Sequence, residues 1–136
     1  VIVVDASALA KYVLKEEGWR EIRKVLEGGA VSVDHVVKEV SNAIWRKYAV
    51  LRLEDAEVAI RRYELLVKLV RSGVVVLENE LKYLEKAFRI AIENGVTVYD
   101  ALYIAQALEL GAQLLTSNRG QADVAARLGA NSIYIP

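Results

Sequence analysis

Val1-Ile2-Val3-Val4-Asp5-Ala6-Ser7 opens the chain with four branched apolar residues that stop at a carboxylate. A run without alternation is what a strand buried on both faces of a parallel sheet requires, and helix-compatible residues follow it at once. Asp5 then stands where strand hands over to helix, the rim at which open α/β sheets hold their ligands. The same position suits a helix N-cap, since Asp5 or Ser7 can accept a backbone N–H of a helix beginning near Ala8. Both readings stay open on this stretch alone.

Outward from it the alternation repeats. Residues 8–17 read as a short helix broken by Gly18, and residues 19–27 as a second that Gly28-Gly29 ends. Residues 30–33 form a strand. A helix from about 34 to 48 carries Val36, Val37, Val40, Ile44 and Leu51 on its apolar face, and the longest helix spans 53–72. Strand 74–77, helix 80–93, helix 99–110, strand 112–116, helix 121–128 and strand 132–135 complete the order. Residues 99–110 are apolar all round, so that helix should be central and buried. This order predicts an α/β fold of three layers, with a mostly parallel central sheet of about four or five strands flanked by helices. No repeat or linker interrupts it, so residues 1–136 are expected to form a single domain.

Composition narrows the function classes. With no cysteine, disulfides and thiol chemistry are excluded, and one histidine makes a zinc site improbable. Eighteen basic residues balance eighteen acidic ones, so no global positive field drives nucleic-acid binding, and a nucleic-acid substrate needs a local patch or a metal. The hydrophobic fraction of 54% is high and leaves room for an apolar partner surface. Charges interrupt every apolar run before membrane-spanning length, no leader pattern opens the chain, and the expected address is the cytoplasm.

Three acids carry the chemistry. Asp5 ends the first strand. Glu39 belongs to a polar stripe of His35, Glu39, Asn42 and Arg46, which is otherwise a solvated face. Asp100 starts the buried helix, where Thr97-Val98-Tyr99-Asp100 also matches a capping box. Carboxylates sharing one hollow repel each other unless protons or cations neutralise them, and oxygen-only ligation favours Mg²⁺ or Mn²⁺. Such an ion activates water and clamps phosphodiester oxygens.

Val3-Val4-Asp5-Ala6-Ser7, Glu39-Val40-Ser41-Asn42, Tyr99-Asp100-Ala101-Leu102-Tyr103-Ile104-Ala105 and Leu114-Leu115-Thr116-Ser117, in this order, resemble the motifs of PIN-domain ribonucleases. More narrowly they are similar to the VapC toxins of type II toxin–antitoxin systems. The resemblance implies a metal-dependent endoribonuclease in which Asp5 and Asp100 hold the metal. Glu39 would bind it or orient the attacking water, and Ser7 and Thr116 would tune the site through hydrogen bonds. It further implies a homodimer silenced by a cognate antitoxin. Asn118 departs from the pattern, because the family usually places a fourth acid there, and an amide supplies no charge. Asp123 can reach back to the site or simply favour a helix N-terminus. One metal is expected to bind tightly and a second weakly. Lys11, Arg46, Lys47 and Arg119 are candidates for RNA phosphate contacts.

A receiver domain would need Asp where Glu78-Asn79 stands and Lys near Ser117-Asn118, and a haloacid-dehalogenase-like phosphatase would need Asp at Ser7. The stronger alternative is a catalytically weakened PIN-like module that binds RNA or protein.

Overall fold

The computed structural model describes residues 1–136. Five parallel strands form one sheet: β1 (Ile2–Val4), β2 (Ala30–Val33), β3 (Val75–Glu78), β4 (Gln113–Thr116) and β5 (Ser132–Tyr134), in the spatial order β3-β2-β1-β4-β5. Seven helices connect them: α1 (Ala6–Val13), α2 (Trp19–Leu26), α3 (His35–Ala49), α4 (Ala56–Arg71), α5 (Leu84–Asn94), α6 (Val98–Leu110) and α7 (Arg119–Arg127). Val3 pairs with Val31 on one side and Leu114 on the other, which makes β1 the central strand. Val3, Val4, Leu114 and Leu115 have no exposed surface, each contributing about 1.5–3 kcal/mol of burial.

The strand order sets the layers. From β1 the chain steps through β2 to β3, then returns across the sheet to β4 and β5, so right-handed crossovers carry α1–α4 to one face and α5–α7 to the other. The connections therefore part between β1 and β4, and the crevice of such a sheet opens at the carboxyl ends of those two strands. Asp5 N–H continues the pairing by donating to the Leu115 carbonyl at 3.1 Å. Helix α6 is buried continuously from Ala101 to Ala107, as its apolar circumference predicts. No helix is long and apolar enough to cross a membrane.

Several boundaries move from their sequence-based positions, and capping explains two of them. Helix α1 begins at Ala6 rather than Ala8 because Asp5 itself is the cap, and α7 begins at Arg119 because Asn118 caps it. Residues 80–82 form a separate 3₁₀ turn capped by Asn79. Leu51 lies beyond α3 and is exposed, not part of its buried face.

Candidate active site

Asp5 is 1% exposed, and both of its oxygens are engaged from inside the protein. Its Oδ1 accepts from Ser7 Oγ at 2.7 Å and from the Ala8 N–H at 2.9 Å, while Oδ2 accepts a short hydrogen bond from Thr116 Oγ1. The turn after β4 feeds these hydroxyls in their turn. Ser117 N–H donates to Ser7 Oγ at 2.9 Å and Asn118 N–H to Thr116 Oγ1 at 3.0 Å. Capping and site-building are thus the same act here, since the cap bond from Ala8 fixes the carboxylate at the crevice. Of the roughly four lone-pair sites of a carboxylate, three are used, which leaves one on Oδ2 for a ligand.

Asp5 has no cationic partner. Burial pushes its carboxyl from the ordinary 3.8 up to about 6 against the three hydrogen bonds, and the nearby charge of Asp100 adds to the rise. Asp100 sits in the first turn of α6, where Thr97 Oγ1 accepts its backbone N–H at 3.1 Å, the cap half of the predicted box. Its carboxyl is also raised, chiefly by desolvation.

Glu39 arrives from α3 on the opposite layer. It is held by Tyr103 of α6, whose hydroxyl donates to Glu39 Oε1 at 2.6 Å, while His35 Nε2 stands 3.5 Å from the same oxygen. Tyr103 is 1% exposed, and burial together with the charges of Glu39, Asp5 and Asp100 pushes its hydroxyl far above the ordinary tyrosine range. Glu39 touches this phenol directly, and the charges of Asp5 and Asp100 are felt at it. The approach of the three acids is looser than a preformed cage, because no three His, Asp or Glu side chains are gathered closely enough to hold a metal ion between them.

The donors nonetheless suit a hard divalent ion. Mg²⁺ takes one or two carboxylates and completes its shell with water and phosphate oxygens. A desolvated carboxylate with a spare lone pair, a second carboxylate near it and no competing lysine or arginine meet that description.

The remaining residues divide. Asn118 lies on the rim, but its Oδ1 accepts the Gln121 N–H at 3.1 Å, so the oxygen that could have served an ion is committed to the cap. Asp123 is exposed and shares with Asp100 and Asn118 the wall of a groove of about 680 Å³ between α6 and α7. Asn42 and Arg46 are exposed one and two turns beyond Glu39, with Arg46 about 10 Å along the helix. Arg119 is exposed on the rim with its guanidinium 5.5 Å from the centre of the Tyr134 ring. Lys47 stands 3.9 Å from Glu16, and Lys11 packs near Gly18 and Pro136.

Sequence reasoning missed Tyr103 and Gln121, whose Nε2 donates to the Asp100 carbonyl at 3.0 Å and pins α7 to α6. A signal for Tyr103 existed, because it follows Asp100 by three residues on one helix face and a buried phenol needs a partner.

Residues 2–127 match the PIN domain family. The chain is similar to the protein named Ribonuclease VapC3 from Pyrobaculum aerophilum, at 32% identity covering 90% of this chain and 92% of that one. It is also similar to the protein named Exonuclease VapC9 from the same organism, at 33% identity covering 86% of this chain and 80% of the relative. Among solved structures it resembles that of PAE2754 from P. aerophilum, with a TM-score of 0.67 and 25% identity over 96% of this chain and 87% of the other.

Proposed function

Because this chain belongs to the PIN-domain family and its relatives are VapC nucleases, we propose that it is a metal-dependent endoribonuclease, the toxin of a cytoplasmic toxin–antitoxin pair. The observation that carries this reading is Asp5, a fully desolvated carboxylate without a cation, at the sheet's switch point and within electrostatic reach of Asp100. Mg²⁺ or Mn²⁺ held there by Asp5 and Asp100, with Glu39 beside it, would supply activation of water and neutralisation of phosphate charge. The protein's own residues do the rest. Ser7, Thr116 and the Ala8 N–H hold Asp5 with one lone pair unused, and Tyr103 holds Glu39, which would bind the ion or orient the attacking water.

The test is cleavage of an RNA whose ends are both blocked, with Mn²⁺ or Mg²⁺ and with EDTA, using Asp5→Asn as control. Internal cuts that need the ion and vanish in the variant are expected. Equal trace cleavage by both proteins would sink the enzyme reading, and digestion only of free ends would make the enzyme an exonuclease.

Asn118 supports the second reading, a catalytically weakened PIN-like module that binds RNA or protein. Its amide adds no charge and its oxygen is already bonded. On the enzyme reading, calorimetry should find one tight Mn²⁺ site in the free protein and a second, weak one that Asn118→Asp strengthens. Two equivalent tight sites in the wild type would contradict it.

The partners proposed are an RNA substrate, a second copy of the chain and a cognate antitoxin. Exposed apolar residues favour the last two, with Trp45, Leu51, Leu53 and Ile60 around the α3–α4 connection, and Phe88 and Ile92 along α5 with Leu81 in the turn before it.

A further inference from the structure

Tyr99 is out of keeping with the helix that bears it. From Ala101 to Ala107 α6 is buried without a break, yet Tyr99, adjacent to Asp100, is 58% exposed and contributes little to the core. Its ring lies on the imidazole of His35 from α3, with centroids 4.8 Å apart and planes 10° from parallel. His35 is itself fixed, since its side chain is only 14% exposed and its Nε2 stands 3.5 Å from the Glu39 oxygen that Tyr103 holds. One face of the phenol is thus covered by imidazole, and exposure of that size puts the other face in water. The result is a two-ring stack built from both helical layers, standing directly beside the acidic crevice.

We propose that the outer face of Tyr99, backed by His35, is a stacking platform for the nucleobase next to the scissile phosphate of a single-stranded RNA. The proposal rests on the ribonuclease reading and deepens it by naming how substrate is held. A crevice of carboxylates repels phosphates, and the chain as a whole carries no net charge to offset this. Base stacking supplies affinity that does not depend on charge, and it requires an unpaired base with an open π-face. An aromatic ring with its back supported loses little freedom when a base lands on it. Selection for single strands follows, because a base inside a duplex has no free face to offer.

The experiment measures binding of a single-stranded RNA oligonucleotide carrying 2-aminopurine to the full chain in the non-cleaving Asp5→Asn background, with the same oligonucleotide annealed to its complement as reference. Tyr99→Ala should weaken single-strand binding by about 5- to 100-fold and abolish the fluorescence quenching, whereas Tyr99→Phe should retain both. Tyr99 is exposed, so the alanine variant should keep the wild-type circular dichroism. With Asp5 restored, the loss in Tyr99→Ala should show as a raised KM. Unchanged affinity in Tyr99→Ala, equal losses in the alanine and phenylalanine variants, or no single-strand binding by the parent would each overturn the platform. Cleavage by the wild type with an unchanged KM in Tyr99→Ala would remove the platform and leave the nuclease standing. Platform-dependent binding without metal-dependent cleavage would do the reverse.

Discussion

Burying a carboxylate without a cation beside it costs free energy, and Asp5 carries that cost where a ligand would relieve it. Its carboxyl is raised to about 6, so between pH 4 and 6 the folded protein holds a proton that the unfolded chain has lost. Stability in the absence of metal is therefore greatest at and below pH 4 as far as this group is concerned, and it falls by about 3 kcal/mol as the pH rises through 6. Asp5→Asn keeps the bond from Ala8 and sheds the charge. In EDTA at pH 7.5 it should be more stable than the wild type by up to about 3 kcal/mol in urea melts, with the gain vanishing near pH 4. A variant no more stable than wild type at pH 7.5 would show that the carboxylate is not under strain. Asp5 was legible in the sequence because it ends a plain apolar run, whereas Thr116, which bonds it, came only from the family resemblance. Tyr103 was not legible, because a tyrosine in an apolar helix looks like core until the carboxylate that its hydroxyl meets, 64 residues away, is brought beside it.

Strands were the most legible elements, since each is a short run of branched apolar residues bounded by glycines or polar residues. Residues 30–33 were located to the residue. Helix starts moved because side chains decide them, and the segment after β3 divided into a 3₁₀ turn and α5 for a reason tied to Glu78. That carboxylate at the end of β3 accepts from Tyr83 Oη at 2.6 Å and from Gln106 Nε2 at 3.0 Å, joining β3, the start of α5 and the middle of α6. The Tyr83 bond is the largest cause that lowers the Glu78 carboxyl from 4.5 to about 2, followed by the Gln106 bond. A lowered carboxyl contributes stability that is fully present above pH 4.5 and lost as the pH falls toward 2. Tyr83→Phe should cost about 1.5 kcal/mol at pH 7, the low end for a hydrogen bond to a charged group because Glu78 is partly solvated. The gap from wild type in urea melts should narrow steadily below pH 4.5. A gap of constant size down to pH 2.5 would assign the loss to packing instead.

For the whole molecule, sequence periodicity counts apolar stripes without saying what each one meets. Residues 80–93 read as an ordinary amphipathic helix, but α5 has apolar residues on two sides. Ala87 and Ile90 are buried in the core, while Leu84, Phe88 and Ile92, continued by Leu81 of the preceding 3₁₀ turn, form an exposed apolar stripe. An apolar stripe left in water on a chain of zero net charge favours association. A second copy offers the same stripe and would cover it on both molecules at once. Two α5 helices packed antiparallel about a two-fold axis near Phe88 would bring the two phenylalanines together at the centre of the shared stripe. On this proposal Phe88 is the residue on which a homodimer would depend. Light scattering on a sizing column should find the wild type dimeric at micromolar concentration. Phe88→Glu should be a monomer whose dimer dissociation constant is weaker by about 30-fold or more, the effect of losing a central aromatic anchor. A wild type that stays monomeric, or a Phe88→Glu variant that stays dimeric, would mean that α5 is not the surface that joins two copies.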